Sequence, residues 1–153
     1  DTKEDDLGNP DADGKILSST AAGVRSWTDS PSSFSVFPIW AEESGSLVSG
    51  TDNWSFGNGS IGDVGIVLPF DAEIFALTFQ AETFGTSASI DVTSNDSVIV
   101  TENFTSANDY VNLSSNVSVN AGEWLGFRTN TVVGTSTDVR VCVWIKVDNS
   151  EIN

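Results

Sequence analysis

The side chains that could do chemistry in this chain are carboxylates, amides and aromatics, because histidine is absent. Without an imidazole no Ser-His-Asp or Cys-His nucleophilic system can be assembled, and a histidine-ligated metal is ruled out with it. What remains for bond breaking is a pair of carboxylates working as acid and base, as in glycoside hydrolysis. Glu42-Glu43 and the pair Glu73 and Glu82 are the acids beside apolar patches, but nothing in their spacing selects them. They read as solvated side chains. The chain is expected to be no enzyme, with no catalytic residue and no cofactor.

Two stretches carry ligand-binding chemistry. Asn9-Pro10-Asp11-Ala12-Asp13-Gly14 places oxygen donors at alternate positions before a glycine, the first half of a calcium loop. Position twelve is Thr20, where a bidentate Glu is needed, so a full calcium-binding hand is excluded. An acidic turn is expected there, with Asn9, Asp11 and Asp13 left as a weak calcium candidate. Thr51 to Gly59 (TDNWSFGNG) sets an aromatic among amides and acids in a glycine-rich loop. A flat apolar ring with hydrogen-bonding neighbours suits a sugar, which makes Asp52, Asn53, Trp54 and Asn58 candidate glycan contacts. The competing reading has Trp54 and Phe56 alternating on a strand, with one of them in the core. Asn53, Asn58, Asn95, Asn103, Asn112 and Asn116 each begin an N-x-S/T triplet, as a chain rich in Asn, Ser and Thr does by chance.

The elements that must position these residues are short strands. A chain of 153 residues, 39% apolar and 18% charged and rich in Ser, Thr, Asn, Gly and Val, fits one all-β domain. Phe34 to Trp40 reads as a strand with Pro38 marking an edge or bulge. Asp63 to Leu68 is short, and Glu73 to Ala81 looks largely buried. Ala88 to Thr93 alternates strictly, Asn95-Asp96 makes a turn, and Ser97 to Phe104 completes a hairpin. Tyr110 to Leu113, Val117 to Val119 and Glu123 to Arg128 continue the series. Asp138 to Val147 closes it, with Val139, Val141, Val143 and Ile145 on one face. No 3.6-residue stripe and no internal repeat is present. The expected fold is an all-β antiparallel β-sandwich of jelly-roll type over residues 34–153, preceded by an extended N-terminal arm over residues 1–33. Residues 1–14 are too poor in apolar side chains to offset the entropy of ordering them.

The formal net charge is −16, with 22 acidic and 6 basic residues and no basic cluster. Such a surface repels a phosphate backbone or an anionic lipid face, so neither nucleic acid nor membrane is expected as a partner. The lone Cys142 lies in the apolar run Val141 to Ile145 and reads as a small strand residue in a protein assembled in a reducing cytoplasm. Residue 1 is Asp and methionine is absent, so a processed product or a piece of a longer reading frame is expected.

Asp13-Gly14-Lys15-Ile16-Leu17-Ser18-Ser19-Thr20-Ala21-Ala22-Gly23-Val24-Arg25-Ser26-Trp27 is similar to a segment of bacteriophage tail fibres and related trimeric adhesins, roughly D/N-G-x-x-L-x-S-x-x-x-G-x-x-x-W. There it precedes a globular tip. Val117 to Arg128, an apolar strand, then Ala-Gly-acidic, then an apolar strand, resembles the late hairpin of trimeric jelly-roll heads of the tumour-necrosis-factor and C1q type. These resemblances imply a homotrimeric virion surface protein, assembled in the host cytoplasm beside other virion proteins of a fibre shaft or capsid. They imply a tail-fibre tip that attaches to a host-surface glycan, with a capsid decoration protein as the alternative. Leu17, Val24 and Trp27 would anchor the arm.

Overall fold

The computed structural model of the chain describes residues 8, 10, 15–29, 33–50, 54–55, 65–149 and 152. It divides into two units, residues 1–33 and residues 34–153. In the first unit β1 (Lys15–Ser19) and β2 (Arg25–Asp29) pair antiparallel, with Leu17 opposite Trp27. The connection closes with hydrogen bonds from Gly23 N to the Thr20 carbonyl and from Thr20 N to the Val24 carbonyl, both 2.9 Å. Sequence patterning marks anchors in this segment and no strands, because its serines and threonines hide the alternation. Apart from Gly8 and Pro10, residues 1–14 lie outside the described residues.

The second unit contains β3 (Phe34–Ser46), β4 (Ile66–Val67), β5 (Ala72–Thr83), β6 (Ser87–Ser94), β7 (Ser97–Phe104), β8 (Asn108–Val119), β9 (Trp124–Val133) and β10 (Thr137–Asp148). They build two antiparallel four-stranded sheets, ordered β3-β10-β5-β8 and β4-β9-β6-β7. Numbered within this unit, the orders are 1-8-3-6 and 2-7-4-5, which is the jelly roll. The all-β antiparallel sandwich expected from the strand patterns is therefore the fold.

Alternation on β10 drives the packing. Val139, Val141, Val143, Ile145 and Val147 are buried, beside Ile74, Leu77 and Phe79 of β5. The other sheet contributes Ile90, Val92, Phe104, Leu125 and Phe127. Phe79 and Phe104 stack across the sandwich with ring centres 4.8 Å apart. Each such side chain contributes about 1.5–3 kcal/mol by leaving water.

Two turns join their strands in different ways. Asn95 and Asp96 both take positive φ, 48° and 67°, the mirror-image turn that matches strand twist and joins β6 to β7. The Asn120–Glu123 turn does a different job from the hairpin expected of it. β8 pairs with β5, whereas β9 pairs with β4 and β6, so the turn is a corner between sheets. Val119 and Leu125 are both buried in the core, and a corner lets the two flanking strands each face it from opposite sheets. Gly65 makes the short β4–β9 pairing possible, since a Cβ there would lie 1.7 Å from the Leu125 carbonyl oxygen.

Candidate functional site: the outer face of one sheet

The alternation that buries the β10 valines turns Arg140, Cys142, Trp144 and Lys146 to the opposite side of the same strand. Register with the neighbours then lays out rows across the outer face. Glu42, Arg140, Gln80 and Asn108 form one row, and Trp40, Cys142, Thr78 and Tyr110 the next. Pro38, Trp144, Ala76 and Asn112 form a third.

One arrangement occurs twice on this face. Arg140 Nη2 donates to Glu42 Oε2 at 3.0 Å while its guanidinium stands 5.0 Å from the centre of the Trp40 ring. Lys146 Nζ lies 2.7 Å from Glu73 Oε2 and 5.8 Å from the centre of the Phe34 ring. Each β10 cation thus meets an acid and an aromatic ring. Lys146 and Asn116, which donates from Nδ2 at 2.9 Å, hold the Glu73 carboxyl below its ordinary 4.5. Exposed pairs of this kind contribute little stability, and their larger effect is to cancel charge locally.

Around these pairs, among polar neighbours such as Gln80, Thr78 and Asn108, large apolar side chains are open to solvent. Tyr110 is 69% exposed, Phe34 58%, Val36 43% and Trp40 40%. The half-buried Trp144 donates from Nε1 to Thr78 Oγ1 at 3.4 Å. Two depressions share Gln80, Asn108 and Arg140: one of about 470 Å³ reaching Glu42, Glu82 and Asp138, one of about 410 Å³ reaching Tyr110 and Cys142. Burial pushes Glu43 above its usual range, and burial likewise pushes the Cys142 thiol above 9.0, keeping it protonated and quiet as a nucleophile at neutral pH. Among the described residues no group of three or more His, Cys, Asp or Glu side chains is placed to hold a metal ion.

The other sheet carries a polar cluster on its outer side, beside the exposed Val67, Val98 and Val133. Asp91 on β6 accepts from Thr101 Oγ1 at 2.6 Å, from Arg128 at 2.9 and 3.2 Å, and from Asn130 Nδ2 at 3.2 Å.

The residues singled out by sequence are scattered. Asn9, Asp11 and Asp13 lie outside the described residues, as do Asp52, Asn53 and Asn58. Trp54 is 2% exposed and packs against Phe127 with ring centres 6.0 Å apart, the core placement weighed against glycan contact. Leu17 and Val24 are exposed on the β1–β2 hairpin, and half-buried Trp27 donates from Nε1 to the Gly8 carbonyl at 3.2 Å. Of the acids, Glu42 and Glu73 are committed to Arg140 and Lys146, while Glu43 and Glu82 border the larger depression. Trp40, Tyr110, Trp144 and Arg140 were not singled out by sequence. The available signal was the second half of the β10 alternation, whose apolar half alone was assigned to a face. No family model matches the chain, and no curated protein matches it.

Proposed function

We propose that this chain is the distal domain of a bacteriophage tail fibre, a homotrimeric jelly roll on the virion surface that attaches the particle to a host-surface glycan without catalysis. The observation that carries the reading is a jelly roll bearing an aromatic, ion-paired outer face, directly preceded in sequence by the fibre-like segment Asp13 to Trp27. An exposed aromatic face of this extent is a feature of association or ligand binding. Three weak receptor sites on one rigid tip would bind through effective concentration rather than through strong individual contacts. No side chain on the face needs to be a nucleophile for that task.

The purified domain should adhere to host cells, and removal of surface polysaccharide from those cells should abolish adhesion. Undiminished adhesion to stripped cells would exclude a glycan receptor. A map of the particle gives the second check. Copies in small multiples of three at the tail support the fibre assignment, and hundreds of copies on the head would instead make this a decoration protein.

A further inference from the structure

We propose that further copies of this same chain cover the outer face of the β3-β10-β5-β8 sheet, so that the oligomer is built through Phe34, Val36, Trp40, Tyr110 and the two ion-paired cations of β10. The trimer is taken from the function proposed above; the surface that builds it rests on four features of the sandwich.

The first is exposure. Phe34, Val36, Trp40 and Tyr110 stand on one sheet face, each at least 40% exposed. Large apolar side chains gathered on one side of a sandwich leave a stabilising burial unused. The opposite sheet exposes Val67, Val98 and Val133 among polar neighbours such as Thr101, Asn103 and Asn130, whereas the exposed rings of Phe34, Trp40 and Tyr110 all belong to this sheet.

The second is charge. Copies that each carry −16 repel one another, so contact has to be made where the surface is locally neutral. The sandwich sequence has three cations, Arg128, Arg140 and Lys146. Arg128 is bound to Asp91 on the other sheet, and the remaining two neutralise Glu42 and Glu73 on this face. Two acids of the face are thus cancelled within each copy before any partner arrives, while Glu82 and Asp138 lie at its end, bordering the depression beside Arg140.

The third concerns the edge. β3 is an edge strand, and an edge invites strand addition. The Glu42 N–H and carbonyl point away from β10, making 2.9 Å bonds with Ser55. By the two-residue alternation of the ladder, residue 38 points the same way, and residue 38 is proline. The open edge therefore lacks a donor at its centre, so a partner strand cannot pair continuously along it. At this edge, one of the sheet's two, association is left to the side-chain face.

The fourth is area. Four strands about 4.8 Å apart, each roughly 12 residues long at about 3.3 Å per residue, offer on the order of 600–800 Å². One side of a standard interface takes about 800 Å².

Cys142 sits in the middle of this face, between Trp40 and Thr78 in register, and borders the smaller depression. It is a built-in reporter that needs no substitution. In sedimentation, Tyr110→Asp and Val36→Asp should each shift the wild-type oligomer to monomer, while Asn103→Asp on the opposite sheet should not. A maleimide at mildly alkaline pH should modify Cys142 several-fold more slowly in the assembled wild type than in the wild type diluted until it dissociates. Oligomers that survive both face substitutions, or a Cys142 that reacts equally fast in both states, would overturn the assignment of the face and leave the trimer standing. A wild type that sediments as a monomer at every concentration would remove the trimer and this interface together. If Tyr110→Asp abolishes glycan binding while assembly is untouched, the face is a sugar platform and the proposal is wrong.

Discussion

Asp91 is a carboxylate at 3% exposure, and its position on β6 would be intolerable without the donors around it. Thr101, Arg128 and Asn130 all bond to it from the two flanking strands, so it ties β7 and β9 to β6. Asp91→Ala leaves three donors facing an empty site, with Arg128 able to swing partly into water. A loss of about 2–3 kcal/mol is expected, read as a lower urea midpoint at unchanged slope. Glu123 acts at the corner between sheets. The Asn120 N–H donates to it at 3.0 Å, and the Ser94 hydroxyl adds a bond at 3.1 Å, which holds the carboxyl below its ordinary 4.5. In the folded chain it stays ionised at a pH where the unfolded chain already takes up a proton. Its contribution is thus complete above about pH 4.5 and is lost as the pH falls through the lower folded value. Stability measured from neutral to acid pH should fall across that window, and Glu123→Gln should flatten part of the fall. Glu123 was legible in the sequence only as part of a turn. Its bond to Ser94, 29 positions away, required the fold. The face residues were hidden for a related reason: Trp40 and Tyr110 belong to different strand patterns, and only β10 and β5 between them make the two rings members of one row.

Among the elements, those with clean two-residue periodicity were visible from sequence. β7 spans Ser97–Phe104 as expected, and β10 buries the expected valines. β3 shows what periodicity misses. Its apolar pattern ends at Trp40, yet the strand continues to Ser46 through Ala41-Glu42-Glu43-Ser44-Gly45-Ser46, which has no apolar alternation. Pairing with β10 holds that polar half, with Glu42 opposite Arg140. β8 likewise spans the polar Ser114-Ser115-Asn116 as one strand, where the sequence pattern suggests two, and its pairing with β5 shifts register there, with Asn112 opposite Ala76 and Val117 opposite Ile74. The turn between β6 and β7 is where local chemistry decides the outcome. Asn95 accepts left-handed backbone at φ 48°, and its Oδ1 takes the Trp124 N–H at 3.2 Å while its own N–H bonds to the Trp124 carbonyl. Asn95→Ala keeps the backbone bond, loses the side-chain acceptor and strains φ. A cost of about 1–2 kcal/mol is expected in equilibrium unfolding. Full stability in that variant would show that β6 and β7 are registered by their core residues alone.

At the scale of the whole molecule, charge and apolar area act against each other. A net charge of −16 on 153 residues pushes copies apart over distances comparable with the Debye length, about 10 Å at 0.1 M salt and about 3 Å at 1 M. The proposed interface offers apolar side chains and cations whose acidic partners are in their own copy. If assembly depends on that face, added salt screens the repulsion between bodies and removes little of the attraction, because the attraction is mainly burial of Phe34, Val36, Trp40 and Tyr110. Sedimentation in rising sodium chloride should therefore show the oligomer strengthening. An interface held instead by ion pairs between copies would respond in the opposite sense, since screening would weaken the attraction directly. The sign of the salt dependence separates the two cases without any substitution. Arg140→Gln sharpens the test. It leaves Glu42 uncompensated and adds one net negative charge per copy on the contact face, so association should weaken most at low salt and recover as salt rises. Wild-type oligomers that dissociate on adding salt, or an Arg140→Gln chain that assembles as well as the wild type at low salt, would show that charge balance on this face does not govern assembly.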